Sequence, residues 1–147
     1  ACYPEGHPES ANVQQDIEYL KLKQECGADF AVTQLFFDND TFFRFRDAAR
    51  RAGVTIPIIA GLMPVTAVSQ LTRFQSLCGC AIPFKLTDFL QVDADEDVVE
   101  RGIAYGLKQA EELLEGGVEG IHLYTLNQSR SSTAIIAGLR ANGRLTP

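Results

Sequence analysis

The run Phe30–Phe37, FAVTQLFF, is aromatic and β-branched with a single amide inside it, the pattern of a strand buried on both faces. Upstream, Val13, Ile17 and Leu20 share one face of a helix that Ser10 or Asn12 would cap and Gly27 would end. Downstream, Asn39 or Asp40 would cap a helix carrying Phe42, Phe45, Ala49 and Ala52 at three- and four-residue spacing, with Gly53 just past its end. Ile56–Gly61 (IPIIAG) reads as a second buried strand. Thr66 is placed to cap a helix through Val68, Leu71 and Phe74 that stops near Gly79. A short helical excursion follows from Phe84 to Leu90. A long helix from about Asp95 to Glu115 then presents Val99, Ile103, Leu107, Ala110 and Leu114 on one side. Val118–Leu126 (VEGIHLYTL) is a third strand, and Ser131 or Ser132 opens a last helix through Ile135, Ile136 and Leu139. Strands that are apolar throughout, alternating with amphipathic helices, predict an α/β fold with a parallel sheet covered by helices. No Gly-x-Gly-x-x-Gly or Walker-type loop follows a strand, which disfavours a Rossmann nucleotide domain. The remaining parallel architecture is the (β/α)8 barrel, whose chemistry lies where strands end and loops begin.

Composition bounds the function. The 147 residues fit one domain, and 46% apolar with 22% charged residues exclude a disordered chain. Thirteen basic residues against nineteen acidic ones give a net charge of −6, wrong for a general binder of nucleic acid or anionic membrane. The acidic excess sits in Pro83–Gly116, nine acids and three bases, which reads as a solvated outer helix. The tail from Gln128 holds three arginines and no acid. The longest apolar stretch, Ile56 to Val65, is broken by prolines and far too short to span a bilayer. Cys2, Cys26, Cys78 and Cys80 include no second pair to complete a zinc site around Cys78-Gly79-Cys80, so no metal is expected, and the core needs no disulfides. Reduced thiols, with no signal peptide in view, point to the cytoplasm.

Three places carry polar groups that a plain core would not select. Gln34 is an amide in an apolar strand, and leaving it unpaired costs about 1–3 kcal/mol, so it bonds either a neighbouring strand or a ligand at the strand's end. His122 stands near the middle of its strand and reads as a satisfied interior histidine, while Tyr124, Thr125 and Asn127 follow at the end and can donate and accept toward a ligand. The loop Tyr3-Pro4-Glu5-Gly6-His7-Pro8-Glu9 holds His7 between two prolines. That restricts the ring as a planar cofactor would require, or simply makes a rigid surface loop.

With these residues in place, the chain resembles the methylenetetrahydrofolate reductase family. CYPEGHPES, then LKLKQECGADFAVTQLFFDNDTFFRFRDAARRAGVTIPIIAGLMPV, then GVEGIHLYTLNQS follow the C-terminal half of its catalytic barrel. The motifs Y-P-x-G-H-P-E, T-Q-x-F-F-D, P-I-x-x-G-x-x-P and H-x-Y-T-L-N occur in the family's order and spacing, TQLFFD with HLYTLN being the most telling pair. The resemblance implies that residues 1–147 are the end of strand five through helix eight of a flavoprotein (β/α)8 barrel. It implies a ping-pong reaction in which NADH or NADPH reduces FAD and 5,10-methylenetetrahydrofolate then takes its place and becomes 5-methyltetrahydrofolate, supplying methionine synthesis. Tyr3 and His7 would contact the flavin, and Ser10, Val13, Asp16, Tyr19, Leu22 and Lys23 would line FAD, Lys23 facing its pyrophosphate. Gln34 would touch nicotinamide and folate in turn. Gln70 and Phe74 would face the folate, although alone they read as a surface glutamine and a core ring. Gln128 occupies the place of an arginine that can pair with the folate's glutamate carboxylate, with Arg130 two residues on.

The family's general acid, a glutamate on the first strand, falls upstream of Ala1, so the isolated chain is expected to be inactive. The longer enzyme is expected to be a homo-oligomer. Two rivals stand beside this reading: a truncated half-barrel acting as a flavin-binding or assembly module, and a phosphate-binding aldolase relative, which the lack of a phosphate-cradling glycine loop disfavours.

Overall fold

The structure is a computed structural model and describes residues 1–92 and 95–145. Its elements run α1 (Val13–Glu25), β1 (Ala31–Val32), α2 (Asn39–Arg51), β2 (Ile58–Leu62), α3 (Val68–Cys78), α4 (Phe84–Phe89), α5 (Asp95–Glu115), β3 (Ile121–Leu123) and α6 (Ser129–Ala141). The strands form one parallel sheet in the order β1-β2-β3, with Ala31 opposite Ile58 and Gly61 opposite His122. Cys2 extends the ladder on the far side of β1 by a parallel bridge to Thr33: its N–H donates to Val32 O at 3.0 Å, and Gln34 N–H donates back to Cys2 O at 2.8 Å. Four chain segments thus lie side by side in sequence order, each joined to the next through helix.

The two faces of the sheet differ. Side chains alternate along a strand, and Ala31, Ile58, Ala60 and Leu62 point into a core closed by Ile17 and Leu20 of α1, Phe42, Phe45 and Ala49 of α2, Ala110 and Leu113 of α5, and Ile135 and Leu139 of α6. The stacked rings of Phe36 and Phe42, 5.4 Å apart, mark the centre of that layer. The alternate residues Val32 and Ile59 are half-buried and His122 is exposed, so the opposite face is open among the described residues. This corrects the interior reading of His122: its strand is as expected, but its side of the sheet carries no helix. A second core lies past the ends of β1 and β2, where Leu35, Phe37, Met63, Val65, Leu71, Phe74, Leu86 and Leu90 meet under α3 and α4.

Several boundaries move for local reasons. FAVTQLFF is not one strand. The ladder covers Ala31–Val32, Phe30 is exposed, and Leu35 leaves the sheet because its N–H donates to the Gln34 side-chain oxygen at 2.9 Å. The third strand is Ile121–Leu123 alone, since Leu126 and Asn127 turn into the left-handed region at φ 47° and 62°. The cap of α2 is Asp38, not Asn39 or Asp40; Asn39 is buried and its amide donates to Gln109 O and Glu112. The caps of α3 and α6 are Ala67 and Gln128. Thr66 is instead bridged by Gln70, and Ser131 and Ser132 lie inside the first turn of α6.

The fully buried positions of α5 are Val98, Gly102, Gly106, Gln109, Ala110 and Leu113; of the expected stripe, Ala110 is in the core and Ile103, Leu107 and Leu114 pack against it partly buried. Two glycines at the centre of α5 carry no hydropathy signal, yet they set the approach. A Cβ on Gly102 would stand 1.7 Å from the Val65 carbonyl oxygen, and one on Gly106 would stand 2.9 Å from Ile135 Cδ1.

Candidate functional site

The loop before α1 is built on one carboxylate. Asp16, 6% exposed in the first turn of α1, accepts the His7 N–H on Oδ2 at 2.9 Å and the Ser10 hydroxyl on Oδ1 at 2.7 Å. The chain doubles back at Gly6, whose φ of 93° suits glycine, with Gly6 N–H donating to Tyr3 O. His7 Nδ1 accepts the Glu9 N–H at 3.1 Å, so the neutral ring carries its proton on Nε2, and the ring meets Tyr3 edge-on at 4.5 Å between centroids. Asn12 caps α1 by accepting the Gln15 N–H, which fixes the helix that follows.

Between this loop and α1 lies an open cavity of about 410 Å³. Tyr3, His7, Ser10, Asp16, Tyr19, Leu22 and Lys23 all line it, so seven of the eight residues assigned to a cofactor converge there. Val13 does not line it. It is 37% exposed and packs toward Gly6, where a Cβ would meet its Cγ2 at 3.6 Å. Tyr19 and Leu22 are half exposed and give the cavity an apolar wall, while Lys23 Nζ donates to the Ala1 carbonyl at 2.8 Å. At its floor, burial pushes the Cys2 thiol up to about 12, which keeps it protonated and unreactive. Glu5, on the same loop, accepts the Ala81 N–H at 2.9 Å. Its carboxyl titrates above the ordinary range because it is half-buried, a rise the Ala81 bond opposes and the charge of Asp38 adds to.

The assigned substrate residues divide. Gln34 is half-buried at the end of β1 with Oε1 held by Leu35 N–H, so its amide nitrogen is the group left for a ligand. Gln70 and Gln128 share a small cleft of about 30 Å³ between the β2–α3 turn and the start of α6, but Gln70 spends both ends of its amide on Thr66, at 2.8 Å each. Phe74 is 6% exposed within the second core, so its ring is occupied by packing against Leu71, Met63 and their neighbours.

Sequence reasoning missed how the sheet's open face is locked. Gly61 N–H donates to Thr33 Oγ1 at 2.8 Å, Tyr124 donates its hydroxyl to Thr33 O at 2.9 Å, and a Cβ on Gly61 would lie 2.8 Å from the Tyr124 ring. A lone glycine in IPIIAG is the signal that a neighbour approaches closely there. It also missed a cavity of about 430 Å³ between α2, α4 and α5, over which Tyr105 donates to Phe37 O at 2.7 Å. Among the described residues there is no metal-binding cluster and no helix long and apolar enough to cross a membrane.

The family model described as methylenetetrahydrofolate reductase matches residues 1–140. The chain is 37% identical to methylenetetrahydrofolate reductase (NADH) 1 of Arabidopsis thaliana across 95% of this chain and 25% of the plant protein. It is 38% identical to methylenetetrahydrofolate reductase 1 of Schizosaccharomyces pombe over 95% of this chain and 23% of that one. A Buchnera aphidicola 5,10-methylenetetrahydrofolate reductase is 39% identical over 88% of this chain and 45% of its own length. The chain therefore spans between about a quarter and a half of the relatives it matches. Among solved structures, an uncharacterized protein from Clostridium thermocellum that binds two copies of 5-methyl-5,6,7,8-tetrahydrofolic acid superposes with a TM-score of 0.66 at 17% identity, over 98% of this chain and 52% of that one. The fold is shared with that protein, and by its sequence the chain belongs to the methylenetetrahydrofolate reductase family.

Proposed function

We propose that this chain forms the flavin-facing loop and the last strand ends of a (β/α)8 barrel that reduces 5,10-methylenetetrahydrofolate to 5-methyltetrahydrofolate with NADH or NADPH. The observation that carries the reading is the convergence of seven assigned cofactor residues on one 410 Å³ cavity, floored by the bridge strand and walled by α1. The sequential strand order, with helices on one face of the sheet, supports the barrel. The cavity suits a flavin dinucleotide in chemistry. Two rings at right angles and the apolar flank of Tyr19 and Leu22 suit a planar ring system, and Lys23 offers an ammonium to a phosphate. FAD, when bound, supplies the two-electron carrier that links hydride donor to folate.

What this chain contributes is placement. Asp16 holds the loop so that Tyr3 and His7 stay fixed, and Tyr124, locked over Gly61, walls the open face of the sheet. Gln34 offers an amide N–H at the strand end, where nicotinamide and folate would bind by turns. The folate bound by the Clostridium thermocellum protein of the same fold supports a pterin-bearing substrate. In the reductase that carries this segment, Gln34→Ala should slow both the reduction of flavin by NADH and its reoxidation by methylenetetrahydrofolate, measured separately by stopped flow. Unaltered rates in both half-reactions would sink the shared site.

A further inference from the structure

The start of α2 and the middle of α5 part over a cavity of about 430 Å³, with α4 on its third side. It shares no lining residue with the cavity beside α1. Two packed helices need only apolar contact, yet the floor here is polar. Gln109 is 5% exposed, and its Nε2 donates to Phe36 O at 3.0 Å. That bond decides which end of the amide is which, because only the nitrogen can donate to a carbonyl. The other end, Oε1, accepts no hydrogen bond among the described residues, and it is not shut off from solvent as Asn39 Oδ1 is. The cavity is the open space that Gln109 lines, so a buried side chain presents an unused acceptor to it.

The rest of the lining agrees in chemistry. Tyr105 donates its hydroxyl proton to Phe37 O at 2.7 Å, so its oxygen has only lone pairs left to offer. Burial pushes that hydroxyl up to about 12, and the charges of Asp38 and Glu112 add to the rise, so both carboxylates act on one spot. Asp38 and Asp40 have no ion-pair partner among the described residues. The two cations of the lining are outward: Lys108 is 3.9 Å from Glu112 with 78% of its side chain exposed, and Lys85 is exposed on α4. Acceptors therefore collect around the floor with no donor to meet them, while the exposed ring of Phe89 forms an apolar side.

We propose that this cavity binds an organic cation, an ammonium, amidinium or guanidinium group carried on an apolar body. The head donates to Gln109 Oε1 and Tyr105 Oη and is neutralised by Asp38 and Asp40. The body lies along Phe89. A bare metal ion would leave that ring and most of the 430 Å³ unused. Nothing in this site depends on the proposed folate reduction.

Three probes of nearly one shape and different charge test it: benzamidine, benzamide and benzoate. Each would be titrated into the 147-residue chain at neutral pH and fixed ionic strength, following backbone amide shifts by NMR. Benzamidine should give saturable shifts centred on residues 37–40 and 104–112, and the other two should not saturate. Asp38→Asn keeps a capping side chain on α2 and removes one charge, so it should weaken benzamidine about tenfold, as loss of a bond to an ion does. Ala104→Leu puts a larger side chain into the cavity from an exposed position, and both residues favour helix. It should abolish saturation and leave the melting temperature unchanged. Benzamide or benzoate saturating as well as benzamidine would overturn the cation as ligand. Shifts from benzamidine that never saturate, or that Ala104→Leu leaves unaltered, would overturn the site itself.

Discussion

Asp16 is the residue whose removal most directly tests how the cavity beside α1 is built. Both of its oxygens are engaged inside the protein, on the His7 N–H and the Ser10 hydroxyl, at 2.9 and 2.7 Å. Hydrogen bonds to a charged group contribute about 1.5–3 kcal/mol each, and the partly buried setting favours the lower end. Asp16→Ala, which leaves both donors unmatched, should therefore cost about 2–4 kcal/mol. For a chain of this size each kcal/mol moves the melting midpoint by roughly 2–4 °C, so a drop of about 10 °C is expected. Asp16→Asn keeps an oxygen for His7 N–H and can donate its amide to the Ser10 oxygen, so it should cost about 1 kcal/mol. Urea unfolding measures both, and quenching of flavin fluorescence measures the cavity. Flavin affinity should fall further in Asp16→Ala than in Asp16→Asn, because the Tyr3–His7 pair loses its anchor only in the first. An Ala variant within about 0.5 kcal/mol of the parent, or an Asn variant as damaged as the Ala one, would refute the claim that geometry rather than charge is what Asp16 supplies.

Three further outcomes are expected. Gly102→Ala forces a methyl against the Val65 backbone; overpacking of about 3 kcal/mol against a gain of about 1 kcal/mol in helix propensity leaves a net loss near 2 kcal/mol, whereas Gly106→Ala meets only the movable tip of Ile135 and should be close to neutral. Equal effects at the two sites in urea unfolding would contradict the packing. Glu5 titrates above its ordinary value of 4.5, chiefly through burial, so its contribution to stability is full below that value and is lost as pH rises through the raised one. Glu5→Gln, which can still accept from Ala81 N–H, should therefore be more stable than the parent at neutral pH, with the gap closing as the pH falls toward 4.5, and a gap independent of pH would contradict the burial of that carboxyl. A disulfide reagent under mildly alkaline conditions should modify exposed Cys26 first, while Cys2 and Cys80, buried and raised to about 12 and 11, react only on unfolding; fast labelling of Cys2 would mean that the cavity floor is open.

The alternation of strand and helix was legible because the helix-facing side of every strand is apolar, and a parallel sheet needs little more to be recognised. Strand lengths were not. An apolar run such as Leu35-Phe36-Phe37 looks the same whether it pairs in a ladder or plugs a second core, and the choice at Leu35 was made by the Gln34 side chain taking its N–H. The most buried line of α5 was missed for the opposite reason: its centre is two glycines, whose importance lies in what a Cβ would strike and not in any hydropathy, while the expected Ile103, Leu107 and Leu114 pack beside it.

The site was legible only in part for a related reason. Tyr19 and Leu22 sit on the solvent side of α1, and by period alone they are the outer face of an amphipathic helix. They become the wall of a cavity because residues 3–10 fold back beside them, and that fold-back hangs on Asp16, a polar residue buried on a helix whose other buried positions, Ile17 and Leu20, are apolar. Periodicity reports which residues leave water, but it is blind to a loop that returns over an exposed face. The family resemblance supplied those positions without supplying the cause.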